Sequence, residues 1–130
     1  MMINISEKNF EKYSRQIMME KIGISGQKKI MKSSICIIGC GGLGTTTAQY
    51  LAMTGIGKML LIDFDKVEIS NLNRQLSYLE KDIGKNKAEV LKRNIQKINP
   101  ESDVSIIKKK ITNKNINSLV KDCKFVIDCS

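Results

Sequence analysis

Residues 35–63 constrain the fold of this chain more than any other stretch. The run 34–38 is short, apolar and rich in β-branched side chains, which reads as a strand buried on both faces. Gly39-Cys40-Gly41-Gly42-Leu43-Gly44 follows at once. A helix is expected over 43–54, stopped by Gly55 and Gly57. A second buried run, 59–62, ends on Asp63. Strand, glycine turn, helix and strand make a βαβ unit, which implies parallel strands joined by a crossover.

The remainder continues that alternation. Phe10, Tyr13, Ile17 and Met18 recur at helical spacing and predict a helix over 9–20, with a second short helix over 25–31. Residues 65–78 carry no strong period and read as an ordered loop or a single helical turn. A helix is expected over 83–98, where Ala88, Leu91, Ile95 and Ile98 share one face and Pro100 lies beyond the end. Runs 104–107 and 125–129 read as strands, with a short helix over 115–121 between them. The expected fold is α/β: a Rossmann-like doubly wound sheet, mostly parallel, preceded by two N-terminal helices. At 130 residues it is a single domain. Ending at Ser130, where a ligand-binding loop should follow a strand, it is expected to be incomplete, truncated after the fourth strand.

Composition removes several function classes. No apolar run approaches the ~18 residues of a membrane span, and the N-terminus has no signal-peptide core. The four cysteines show neither CxxC nor metal-finger spacing, which fits a reduced, cytoplasmic setting. With no histidine, neither a His base nor a His metal ligand is available. The net charge of +9 comes from scattered lysine and reads as a solvated surface rather than a nucleic-acid face. Lys108, Lys109 and Lys110 form the one tight run, and they follow a candidate strand, where exposed lysines are ordinary. A positive field of this kind can still recruit an acidic partner.

The glycine cluster matches G-x-G-x-x-G directly after a strand and before a helix. Glycines allow the tight turn and a close approach of backbone to phosphate, and the helix N-terminus offers free N–H groups. Gly39, Gly41, Gly42 and Gly44 are therefore candidate nucleotide contacts. Cys40, within the loop, is either a thiol activated at a helix N-terminus or a small filler. Asp63 lies 19 residues beyond Gly44 and suits both ribose hydroxyls, equally for NAD and for ATP. Residues 65–75 discriminate better. A dehydrogenase needs little here, yet the segment carries Asn71, Asn73, Arg74 and Gln75, groups that suit a triphosphate. The chain has three arginines, and two recur in near-duplicate tripeptides, Ser14-Arg15-Gln16 and Asn73-Arg74-Gln75. Arginine's planar fork binds phosphate bidentately. Lys87, at the start of the next helix, can add a point charge.

The chain resembles the ThiF/MoeB/HesA family of adenylating enzymes, related to ubiquitin-activating enzymes. Matching residues are Tyr13-Ser14-Arg15-Gln16, Gly26-Gln27, the glycine cluster, Asp63-Phe64-Asp65 with Val67, Ser70-Asn71-Leu72-Asn73-Arg74-Gln75, Gly84-Lys85-Asn86-Lys87-Ala88-Glu89, Ile98-Asn99-Pro100 and Val126-Ile127-Asp128-Cys129-Ser130. They span essentially the whole chain, as the N-terminal part of a ThiF-type nucleotide-binding domain over 1–130. The resemblance implies ATP and Mg2+ as cofactors, a homodimer, and a ubiquitin-like sulfur-carrier protein as partner, with no membrane and no nucleic acid. A tRNA partner enters only for a dehydratase relative. The implied reaction is adenylation of the carrier's C-terminal carboxylate. Implied roles are nucleotide contact for Gly39, Gly41, Gly42, Gly44 and Asp65, ribose binding for Asp63, and phosphate binding for Asn71, Arg74 and Lys87. Arg15 would reach the nucleotide of the other subunit. Arg15, Arg74 and Lys87 would act in catalysis. The family's metal-binding aspartate and its CxxC zinc pairs would fall beyond Ser130, so no metal ligand is assigned and structural Zn2+ is expected only in a longer form. A chain of this length is expected to bind ATP weakly and not to turn over. The competing readings are a NAD-dependent oxidoreductase and a non-catalytic half of a heterodimeric activating enzyme.

Overall fold

A computed structural model describes residues 4–130. Four strands, β1 (Ser34–Ile38), β2 (Lys58–Ile62), β3 (Asp103–Ile107) and β4 (Phe125–Asp128), form one sheet in the order β3-β2-β1-β4. Every pairing is parallel. The chain winds outward from β1 to β3, then returns to place β4 against the free side of β1. The strand order thus reverses between β1 and β4.

Pleat alternation assigns the core. Ile35, Ile37, Met59, Leu61 and Val104 face α4 (Gly42–Met53) and α5 (Lys87–Ile98), which contribute Ala48, Ala52, Ala88, Leu91 and Ile95. Cys36, Ile38 and Ile62 face the other way, toward Ile116, Leu119 and Val120 of α6 (Ile116–Val120). Helices therefore cover both faces, as a doubly wound sheet requires.

Two expectations need correction. The single helix over 9–20 is broken at Tyr13 into α1 (Glu7–Lys12) and α2 (Ser14–Ile17), so three helices, with α3 (Gly23–Lys32), precede the sheet instead of two. Tyr13 and Ile17, four residues apart, are buried, but Phe10 and Met18 are exposed, so the buried stripe is narrower than the spacing implies. The helix expected over 83–98 begins only at Lys87. Gly84 has φ +85°, incompatible with helix, and Asn86 caps α5 by accepting the N–H of Glu89. Residues 65–78 hold one 3-10 turn, Ile69–Asn71, in line with the ordered loop expected there. A further 3-10 turn spans Glu80–Asp82.

Candidate functional site

The carboxyl ends of all four strands meet around a cavity of about 510 Å3, within the roughly 300–1,000 Å3 typical of small-molecule sites. It lies where the strand order reverses, the usual ligand position in such sheets. Its walls include Gly39, Gly41, Asp63, Asp65 and Lys87.

The glycine loop is rigidly held. Gly39 adopts φ +91°, and a Cβ there would meet the Cys129 carbonyl oxygen at 2.7 Å. A Cβ on Gly44 would sit 1.8 Å from the Gly39 oxygen. These two glycines are dictated by backbone packing. Gly41 and Gly42 have more room: their nearest neighbours are Gln75 Nε2 at 3.6 Å and Arg74 Cγ at 3.8 Å. The Tyr78 hydroxyl donates to the Cys40 carbonyl at 2.6 Å. Because a trans peptide points its C=O and N–H to opposite sides, the Gly41 N–H faces away from Tyr78. The Gly41 carbonyl accepts from Thr45 N–H (3.0 Å) and Thr45 Oγ1 (2.7 Å), which turns the Gly42 N–H outward from the helix end. Two donors are thus fixed in direction at a helix N-terminus, an arrangement suited to an anion.

The crossover segment 74–78, between β2 and α5, lies on this loop residue by residue: Tyr78 on Cys40, Gln75 on Gly41, Arg74 on Gly42. Arg74 is exposed, and its Nη1 donates to Ser70 O (3.1 Å) and Asn73 Oδ1 (3.0 Å). Asn71 is buried; its Oδ1 accepts the Glu68 N–H at 2.9 Å, and its Nδ2 is unused among the described residues. Neither residue lines the cavity.

Asp63 is nine-tenths buried at the end of β2. Its Oδ2 accepts the Cys40 N–H and its Oδ1 the Asp65 N–H, each at 2.7 Å. A carboxylate has about four acceptor sites, so each oxygen keeps capacity for a ligand. Lys87 is 7% exposed, with Nζ 3.8 Å from Asp65 Oδ2. Arg15 stands exposed on α2 and, among the described residues, has no hydrogen bond or ion pair. The third arginine, Arg93, holds buried Asp82 through a 2.8 Å bond from Nη2.

Cys40 is fully buried. Burial pushes its thiol well above the ordinary range, and the neighbouring Asp63 charge adds to that. It is the small filler, not the activated thiol. Burial likewise raises the Cys36 thiol to about 12, with Cys123 packed against it.

Two residues that the sequence reading set aside belong to the cavity. Lys109 and Lys110 line it, with the Lys110 ammonium 5.9 Å from the Phe64 ring centroid. Their position just past the carboxyl end of a strand was the available signal. Among the described residues no three Cys, Asp or Glu side chains gather as a metal site. No helix among those residues is long and apolar enough to cross a membrane.

The sequence profile of the ThiF family matches residues 13–130. The Sulfur carrier protein ThiS adenylyltransferase of Escherichia coli is 36% identical over 126 residues, covering 97% of this chain and 50% of that protein. The Molybdopterin-synthase adenylyltransferase of Haemophilus influenzae is 34% identical over 129 residues, covering 99% and 53%. Among solved structures, the E. coli tRNA N6-threonylcarbamoyladenosine dehydratase in complex with ATP superposes with a TM-score of 0.87 at 33% identity, covering 98% of this chain and 52% of that one. The chain spans about half the length of the curated relatives it matches.

Proposed function

The chain belongs to the ThiF family, and from that footing we propose that it is the nucleotide-binding part of an adenylating enzyme that activates the C-terminal carboxylate of a ubiquitin-like sulfur carrier with ATP. The supporting observation is the crossover segment laid on the glycine loop, with Arg74 over Gly42 at the helix N-terminus. The loop amides at the helix N-terminus already serve a dinucleotide's pyrophosphate, whereas the larger charge of a triphosphate makes use of an added arginine, which favours ATP over NAD.

In this reading the base and ribose occupy the cavity, with the ribose hydroxyls on Asp63. The phosphates pass over Gly41 and Gly42 toward Arg74, with Lys87 adding positive charge and the free Nδ2 of Asn71 a further donor. Arg15 of a second copy completes the charge neutralisation, making the working unit a homodimer. The carrier's carboxylate oxygen attacks the α-phosphorus in line; that P–O bond forms as the bond to pyrophosphate breaks. The catalysis needed is positioning and neutralisation of charge. Magnesium, when bound, would supply further charge neutralisation, and of this chain's residues the cavity carboxylates Asp65 and Asp128 would face it. A cytoplasmic setting accords with four free thiols.

Calorimetric titration with ATP and with NAD tests the nucleotide class: tighter binding of NAD refutes the reading. ATP–pyrophosphate exchange, with and without a carrier ending in a free glycine carboxylate, tests the reaction. Robust exchange by this chain would overturn the expectation that a chain of this length does not turn over; ATP binding without exchange leaves the reaction to a longer form or to a partner half.

A further inference from the structure

Two matched motifs lie away from the cavity, Tyr13-Ser14-Arg15-Gln16 and Gly26-Gln27, and the proposed function uses only Arg15 of them. The structure joins the two. Gln27, on α3, is completely buried. Gln16 Nε2 donates to Gln27 Oε1 and to the Thr54 carbonyl, the latter at 2.7 Å. Gln27 Nε2 donates to the same carbonyl at 3.0 Å. Thr54 is the C-cap of α4, so this is one of the terminal carbonyls a helix cannot satisfy itself. Two side-chain amides from different elements therefore close one helix end.

The knot has no slack. Tyr13 is 3% exposed, and a Cβ on Gly55 would lie 2.8 Å from its ring and 2.9 Å from Gln27 Nε2. A four-residue turn such as α2 has no stability of its own. It stands because Tyr13 and Gln16, close on either side of Arg15, are anchored to the end of α4. Arg15 itself points at nothing among the described residues. An unpartnered arginine held by buried neighbours is presented outward. The other end of α4 is the glycine loop.

We infer that Gln16 and Gln27 are positioning residues for Arg15: they make the arginine-bearing turn and the glycine loop two ends of one rigid body. The inference rests on the reading that Arg15 serves the nucleotide of a second copy. The helix that cradles one copy's nucleotide then sets where that copy delivers its arginine. Displacement of about 1 Å in such a group can cost about a hundredfold in rate, so a tether of this kind matters without touching the nucleotide.

The test is a double-mutant cycle on ATP affinity by titration calorimetry, at protein concentrations that support self-association, using Arg15→Ala, Gln27→Leu and the pair. Arg15→Ala should weaken ATP binding about tenfold, the worth of a charge-assisted contact. Gln27→Leu should weaken it comparably, and the double variant no further than Arg15→Ala alone. Amide hydrogen exchange should rise in α2 and stay unchanged at the glycine loop. Additive losses, or wild-type affinity in Gln27→Leu, would overturn the inference. If Arg15→Ala binds ATP normally while Asp63 variants lose affinity, the reading of Arg15 fails and the inference falls with it. If Gln27→Leu does not fold, Gln16→Leu, at a less buried position, cuts the same knot in the same cycle.

Discussion

Replacing Asp63 with alanine should both loosen the glycine loop and abolish recognition of the ribose. The carboxylate accepts two backbone N–H groups at 2.7 Å, from Cys40 and Asp65. Hydrogen bonds to a charged partner are worth about 1.5–3 kcal/mol each, and a buried donor left without a partner costs about 1–3 kcal/mol. Cys40 is fully buried in the intact chain, so its N–H is the costlier of the two to strip of its acceptor; Asp65 is exposed, so its N–H is readily rehydrated. The net loss should therefore be dominated by the Cys40 bond, about 3 kcal/mol. At this chain length a kcal/mol moves the melting temperature by roughly 3–5 °C, which puts the expected fall near 10 °C. Urea unfolding followed by circular dichroism gives the free energy, and calorimetry gives the ligand arm. Wild-type protein should prefer ATP to its 2′-deoxy analogue, and Asp63→Ala should bind the two equally and weakly. A variant within about 0.5 kcal/mol of wild type would refute the claim that Asp63 holds the loop. Undiminished preference for ATP would refute the ribose assignment.

Four further outcomes follow from the same geometry. Gly44→Ala should not fold stably, since its Cβ meets the Gly39 oxygen at 1.8 Å, whereas Gly42→Ala should fold near normally yet lose ATP affinity, read by thermal unfolding and calorimetry. Iodoacetamide at pH 8 should leave Cys36 and Cys40 unmodified in the folded chain, checked by peptide mass spectrometry, because burial holds both thiols protonated. Stability should fall as pH rises from about 9 toward about 12, because the folded chain keeps the Cys36 proton that the unfolded chain releases above 9; the slope is about 1.4 kcal/mol per pH unit for each such thiol, and Cys36→Val should reduce it by that one share in alkaline urea titrations, leaving the share of Cys40. Burial opposes the charge on Asp82, but the bond from Arg93 and the Leu79 N–H hold its carboxyl below the usual range. Arg93→Gln should therefore cost about 1–3 kcal/mol at pH 7, discounted for a half-exposed arginine, and the difference should shrink as pH falls below about 4.

The N-terminal helices show where reading by period stops. Phe10, Tyr13, Ile17 and Met18 obey helical spacing, yet only Tyr13 and Ile17 are buried. Spacing reports which residues share a face of a continuous helix; it cannot report the break at Tyr13, nor which of those residues finds a packing partner. The same limit applies at 83–86, where the apolar period tolerates a glycine whose φ +85° forbids the helix. The candidate site divides likewise. The glycine loop and Asp63 were legible as candidates because one βαβ unit brings them together, and Lys87 because it opens the next helix. Lys109 and Lys110 were not, because β3 reaches the cavity only through pairing with β2.

The amino-acid order by itself determined the parallel α/β architecture and the glycine turn at the start of the first crossover helix, because both rest on local chemistry. Those are apolar runs of strand length, glycines where a Cβ is forbidden, and donors freed at a helix start. Tertiary structure alone decided what each polar side chain does. It put Asp63 on the loop amides and Arg93 on Asp82. It laid Arg74 over Gly42, and it tied Gln16 and Gln27 to the far end of the same helix. A polar side chain takes whichever partner long-range packing delivers, and that partner can lie tens of residues away in the chain.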